Sequence, residues 1–238
     1  MIEFSGLTKS FGGREVLRGV DLCVSPGRVT AVVGSNGAGK TTLIKCLVGL
    51  VRPDGGEMRI DGVRLGDDPA YRAAIGYSSQ MSRFPEHLTA REVTRILLDL
   101  RGESAVIDWE LFERLALAPH LDTRVRALSG GTRQKLAVAL AFLFAPRVLV
   151  LDEPSAGLDP MANAVLKDKI LSERGKGATV LVTSHVMSEL DELADDVVFL
   201  RAGRVGYVGS AQKLRVFTGQ PHLERAIASM MTRDVICA

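Results

Sequence analysis

A chain of 238 residues has room for one large domain, or for one domain with a sizeable insertion, and 46% hydrophobic residues supply a substantial core. A formal net charge of +2, with basic residues scattered rather than blocked, argues against nucleic acid as the main partner. Three cysteines, Cys23, Cys46 and Cys237, cannot all pair within one chain and form no C-x-x-C motif, so they read as reduced thiols of a cytosolic protein.

Along the chain, residues 2–33 read as strands. Ile2 and Phe4 alternate with polar residues, Gly12-Gly13 is a turn, and Val16 to Leu22 alternates again. No basic start and apolar run follow Met1, so no secretory signal is expected. Val29-Thr30-Ala31-Val32-Val33 is a β-branched run ending in glycine, the pattern of a buried parallel strand. A helix is predicted from Lys40 to about Gly49, and an edge strand at 57–62.

The middle changes character. Thr89-Ala90-Arg91-Glu92 is a capping box, followed at helical spacing by Val93, Ile96, Leu97 and Leu100. Asp108 can cap a second helix carrying Leu111, Phe112 and Leu115, and Leu128-Ser129-Gly130-Gly131 opens a third, about Thr132 to Phe144. The longest apolar stretch, Leu136 to Ala145, is too short to span a bilayer, so membrane work would need another chain. Strand patterns return at Val148–Leu151 and Thr179–Thr183. A closing hairpin is predicted around Ala202-Gly203, then a short helical tail over 211–238.

Gly34-Ser35-Asn36-Gly37-Ala38-Gly39-Lys40-Thr41-Thr42 fits G-x-x-x-x-G-K-[ST] between a predicted strand and a predicted helix. Glycines let the backbone turn its N–H groups around phosphates, and the helix N-terminus adds partial positive charge there. Lys40 supplies a full charge and Thr41 a hydroxyl for Mg²⁺. Asp152 and Glu153 end a buried strand, where adjacent carboxylates are costly without a task. Asp152 suits the metal shell, and Glu153 suits the general base for an attacking water. His185 directly follows an apolar strand and could reach a terminal phosphate; by itself a histidine there is more often structural. Gln80 could reach Mg²⁺ by its amide oxygen. Ser129, Gly130 and Gly131 form a second phosphate grip at a helix start. One nucleotide does not need two such grips from one chain, which hints that two chains share each nucleotide.

In this order these residues resemble the ATP-binding subunits of ABC transporters over nearly the whole chain. The resemblance implies an α/β fold: a P-loop NTPase of ABC type with a RecA-like parallel-sheet core, an N-terminal antiparallel β subdomain and an inserted helical subdomain. It divides a single ABC ATPase domain into a core with β subdomain (1–87 and 147–210), a helical signature subdomain (88–146) and the tail (211–238). By match, Phe11 would stack on adenine, and Gly37, Gly39, Lys40, Thr41 and Thr42 would hold phosphates and Mg²⁺. Gln80 would relay the Mg²⁺ state to a membrane partner, Glu153 would be the base, and His185 would contact the γ-phosphate. Ser129 and Gly131 would complete the site of the opposite subunit, and Asp159, in Ser155-Ala156-Gly157-Leu158-Asp159, would link the two sites. Thr132 departs from the glutamine common after Leu-Ser-Gly-Gly, a departure that touches rate rather than function.

The implied protein is an ATPase with ATP and Mg²⁺ that closes as an ATP-dependent homodimer. It sits in the cytoplasm, on the inner face of the cell membrane, through an integral-membrane permease. More narrowly, Leu128–Lys135, Ser82–Thr89 and Leu223–Ala228 are similar to the copper-processing ABC ATPases of nitrous-oxide reductase maturation. That implies copper or sulfur delivery, with periplasmic copper-handling proteins reached through the permease. Alternatives are another ABC exporter ATPase, a soluble non-transport ABC ATPase and a P-loop kinase or GTPase. The near-neutral charge and lack of a long insertion weigh against the soluble ATPase. A missing Asn-Lys-x-Asp motif and the unexplained 128–131 segment weigh against the kinase or GTPase.

Overall fold

The computed structural model describes residues 1–66, 68–102 and 105–232. Cys237, with the last residues of the expected tail, lies outside them. Two sheets organise the chain. In the first, β1 (Ile2–Phe11) pairs antiparallel with β2 (Arg14–Val24) across the Gly12-Gly13 turn, and on its other side with β4 (Gly55–Ile60). The strand order is β2-β1-β4-β5, with the two-residue β5 (Val63–Arg64) outermost. The segment predicted as an edge strand is therefore an interior one, covered by a β5 too short to carry a sequence pattern of its own.

The second sheet has six strands in the order β10-β9-β3-β8-β7-β6. Here β3 (Val29–Val33), β6 (Ile75–Ser78), β7 (Val148–Asp152), β8 (Thr179–Thr183) and β9 (Asp196–Arg201) run parallel. Only β10 (Arg204–Ser210) is antiparallel, closing the hairpin predicted at Ala202-Gly203. All five residues of β3, β7 and β8 are buried, as a sheet covered on both faces requires. Alternate residues go to opposite cores. Val32, Val150, Leu181 and Val198 join the antiparallel sheet and α1 (Lys40–Leu47). Val33, Leu151, Val182 and Phe199 face the other core, built with α2 (Ala90–Arg101), α3 (Glu110–Arg114), α4 (Gly130–Phe142), α5 (Pro160–Gly175), α6 (Met187–Leu193), α7 (Ala211–Thr218) and α8 (Leu223–Thr232). Each such buried aliphatic side chain contributes roughly 1.5–3 kcal/mol relative to an exposed one.

The helix boundaries follow local chemistry. The capping box forms, with Thr89 Oγ1 accepting from Glu92 N–H and Glu92 Oε2 from Thr89 N–H at 2.7 Å. Of its predicted stripe, Val93 is buried and Leu97 packs on the core, whereas Ile96 and Leu100 are exposed. Asp108, predicted as the cap of α3, stands one residue before the N-cap Trp109, and its Oδ1 accepts from Glu110 N–H. α4 begins two residues earlier than predicted, because Ser129 is its N-cap and accepts from Thr132 N–H. β6, α5 and α6 escaped the sequence reading.

One buried cation ties α3 to α5. Lys169 is fully buried, and its ammonium lies 2.5 Å from Asp108, 2.6 Å from Glu110 and 3.0 Å from Glu173. Burial would raise the Asp108 carboxyl, but hydrogen bonds from Lys169 and Glu110 N–H hold it below its ordinary value. The Lys169 hydrogen bond also lowers Glu110. Carboxyls lowered by folding stabilise the protein above their unfolded values and lose that contribution as pH falls through the folded ones. Lys169→Met is expected to cost about 3–5 kcal/mol in urea unfolding at neutral pH. It should also flatten the loss of stability on acidification below about pH 4. A cost below ~1 kcal/mol would show that the cluster is not a structural tie.

Candidate functional site

Parallel strands deliver their carboxyl ends to one edge, where ligands of open α/β sheets bind. Here β3 leads into the glycine-rich loop, β6 into Gln80, β7 into Glu153 and β8 into His185. Their residues converge on an open cavity of about 540 Å³ lined by Asn36 through Thr42, Gln80, Asp152, Glu153 and His185. The loop itself is glycine-dependent. Gly37 and Gly39 sit at φ 79° and 106°, which L side chains rarely adopt. A Cβ on Gly34 would drive into the Leu200 carbonyl, and neither Gly34 nor Ser35 lines the cavity. Lys40 Nζ donates to the carbonyls of Gly34 (2.7 Å) and Ser35 (3.2 Å). Burial lowers its pKa, opposed by the nearby charges of Glu153 and Asp152.

The acidic pair is held by β8. Register places Asp152 beside Thr183, whose hydroxyl donates to Asp152 Oδ1 at 2.7 Å and accepts from Glu153 N–H at 3.1 Å. Glu153 sits at φ 53°, a strained value for a residue with a Cβ, of the kind stored at functional sites. Its Oε2 accepts from His185 N–H at 3.0 Å, and its Oε1 lies 3.4 Å from His185 Nε2. Oε1 is buried without a hydrogen bond. Burial raises the Glu153 carboxyl above its ordinary range, against the His185 N–H and the charges of His185 and Lys40. Asp152, the Thr41 hydroxyl and the Gln80 amide oxygen on the same wall form an all-oxygen donor set, suited to a hard divalent cation, and leave the underbonded Glu153 Oε1 for other chemistry.

Other expected residues stand elsewhere. Ser129, Gly130 and Gly131 do not line this cavity. They open α4 against the 154–159 loop. Gln134 Nε2 donates to Pro154 O at 3.0 Å, and a Cβ on Gly131 would meet Gly157 O at 2.9 Å. Asp159 caps α5 through Ala162 N–H (2.8 Å) and pairs with Lys135 on α4 at 2.6 Å. Phe11 is half exposed at the end of β1, under the Lys9 ammonium at 5.2 Å, and is not on the cavity wall. Gln80 also borders a groove of about 800 Å³ with Met81, Phe84, Leu97 and Arg101. The sequence reading missed Thr183 as a site residue; a polar residue closing the apolar run Val180-Leu181-Val182, opposite the Asp152 strand end, was the available signal.

Comparison with known proteins gives a consistent picture. The sequence profile of the family described as ABC transporter matches residues 17–156. The daunorubicin resistance ATP-binding protein DrrA3 of Streptomyces coeruleorubidus is 38% identical, over 94% of this chain and 72% of its own. The Nod factor export ATP-binding protein I of Rhizobium meliloti is 32% identical, over 98% of this chain and 74% of its own. The dimeric structure of MJ0796, a bacterial ABC transporter cassette, superposes with a TM-score of 0.78 at 25% identity, covering 88% of this chain and 98% of that one.

Thr183→Val keeps the shape of the side chain and removes the only hydroxyl on Asp152 Oδ1 among the described hydrogen bonds. The expected loss of unfolding free energy is about 1–3 kcal/mol, read by denaturant titration. A change within ~0.5 kcal/mol would mean that water replaces the hydroxyl.

Proposed function

The chain belongs to the ABC transporter family as an ATP-binding, ATP-hydrolysing subunit, and from that premise we propose that two copies close head to tail on two Mg-ATP to drive a separate permease. The observation that carries this reading is the division of the site. One cavity gathers Lys40, Asp152, Glu153, His185 and Gln80, while Ser129, Gly130 and Gly131 present a helix start elsewhere on the same chain. The dimeric form of the MJ0796 cassette supports the pairing.

In this mechanism the 34–42 loop holds the triphosphate, and the Lys40 ammonium exchanges its two carbonyl partners for phosphate oxygens. Thr41, Gln80 and, through water, Asp152 would hold Mg²⁺, which neutralises phosphate charge. Glu153 takes a proton from the attacking water as its oxygen bonds to the γ-phosphorus; the bond to the β–γ bridging oxygen breaks and ADP departs with that electron pair. A raised Glu153 carboxyl is a better base for this than an ordinary one. His185 steadies the γ-phosphate. Ser129, Gly130 and Gly131 of the second copy donate to it from the opposite side, with Asp159 between the two sites and Phe11 at the adenine. Because nucleotide lies inside the interface, ATP stabilises the closed dimer and hydrolysis loosens it.

The groove beside Gln80 is the docking place for the permease. Gln80 borders both cavities, Met81 is exposed there, and Phe84 is partly buried. No helix of the described residues is long and apolar enough to cross a membrane, so the permease would supply the attachment to its inner face. In this reading residues 88–146 act as a helical subdomain that carries Ser129. The names of the relatives favour an exporter. They lend no support to copper or sulfur delivery for nitrous-oxide reductase, nor to periplasmic copper-handling partners.

Glu153→Gln is expected to lower ATP turnover by at least about 100-fold while an ATP-bound dimer accumulates in size-exclusion chromatography. Unchanged turnover would remove Glu153 as the base. Ser129→Arg should abolish ATP-dependent dimerisation and leave monomer ATP binding intact. Loss of binding by the monomer would contradict a shared site.

A further inference from the structure

Glu189 lies in α6 and is not on the cavity wall, yet it collects hydrogen bonds from three segments that carry site residues. Its Oε2 accepts from Ser155 Oγ at 2.7 Å and from Ser184 Oγ at 3.2 Å. Its Oε1 accepts from Asn163 Nδ2 at 2.7 Å. Ser155 is two residues after Glu153. Asn163 lies in the first turn of α5, which Asp159 caps and whose Asn163 N–H bonds Asp159 O at 2.9 Å. Ser184 directly precedes His185 and accepts from Val186 N–H at 2.9 Å, fixing the turn on which the imidazole stands. A single carboxylate therefore joins the loops of the base, the phosphate-contacting histidine and the inter-site aspartate. Short α6 anchors it from below through buried Leu190 and Leu193.

We infer that Glu189 is a positioning residue that keeps Glu153, His185 and the Asp159 segment in one register, so that contact with the γ-phosphate in one chain is transmitted to the segment facing the second chain. The inference rests on the shared-site reading above. Without the carboxylate, Ser155, Asn163 and Ser184 lose their common acceptor. The two loops are then free to shift independently, although each still folds on its strand end. Catalytic geometry suffers first, since displacement of a reacting group by about 1 Å costs up to about 100-fold in rate. The cavity that holds the triphosphate is untouched, because none of these four residues lines it.

The test compares Glu189→Ala, Glu189→Gln and Ser155→Ala in the full chain. It measures kcat, KM and the Hill coefficient for MgATP, ATP binding by the monomer, and the thermal midpoint. Glu189→Ala is expected to lower kcat about tenfold or more and to bring the Hill coefficient toward one, with monomer binding unchanged. Glu189→Gln retains an oxygen acceptor and should recover much of the rate, and Ser155→Ala should reproduce part of the loss. Wild-type kcat and cooperativity in Glu189→Ala would overturn the inference. So would a rate loss that only follows a fall in thermal midpoint or in monomer binding. Glu153→Gln in parallel separates the two readings: failure to arrest turnover there sinks the shared-site mechanism itself, whereas arrest there with an active Glu189→Ala sinks the positioning role alone.

Discussion

Two carboxylates buried at the end of one parallel strand constrain the rest of this protein. Asp152 and Glu153 are 3% and 6% exposed, an arrangement that costs several kcal/mol unless each charge finds donors or opposite charge. The neighbouring strand supplies them. Thr183 reaches Asp152 through its hydroxyl, and His185 N–H reaches Glu153. Both bonds exist only because β7 and β8 pair in a register that sets Asp152 beside Thr183. Lys40, brought by the loop after β3, opposes the remaining charge from across the cavity. The sheet order thus decides the electrostatics, and the electrostatics decide what the cavity can hold. One oxygen, Glu153 Oε1, is left without a hydrogen bond, as a group reserved for chemistry would be.

The site is also divided in space. With α4 packed on the 154–159 loop, Ser129 stays off the wall of the Lys40 cavity, and Lys135 of the same helix pairs with Asp159. Each chain therefore offers one cavity and one separate helix start. In the proposed dimer no large permanent interface is needed, because the nucleotide itself would fill it. Affinity between copies would then rise and fall with occupancy. The Lys169 cluster and the Glu189 carboxylate play complementary parts. The first ties α3 to α5, and the second ties α5 to the loops after β7 and β8.

Much of this was legible in the sequence wherever the signal was local. The phosphate loop between strand and helix, the Thr89 capping box, the Ser129 helix start and the hairpin at Ala202-Gly203 all rest on residues within a few positions of one another. What escaped was short or nonlocal. β5 has two residues and β6 four, too few for a pattern, and β4 consequently looked like an edge. α5 carried an overlooked signal, Asp159 as N-cap with Pro160 at the first helical position. α6 has only Leu190 and Leu193 buried on seven residues. Thr183 and Glu189 gain their meaning from contacts 30 or more residues away, with Asp152, Glu153 and Ser155, which no local periodicity encodes. The exposed Ile96 and Leu100 show the converse, since their helical spacing promised a burial that α2 does not give them.

The most direct measurement of the shared site is a cross-link between unlike chains. One chain carries Asn36→Cys on the cavity wall and the other Ser129→Cys, each with its native cysteines replaced, and the pair is treated with a short bifunctional thiol reagent. A linked heterodimer that forms with Mg-ATP and not without nucleotide is the expected result. No link in the presence of ATP, or a link indifferent to nucleotide, would contradict the account.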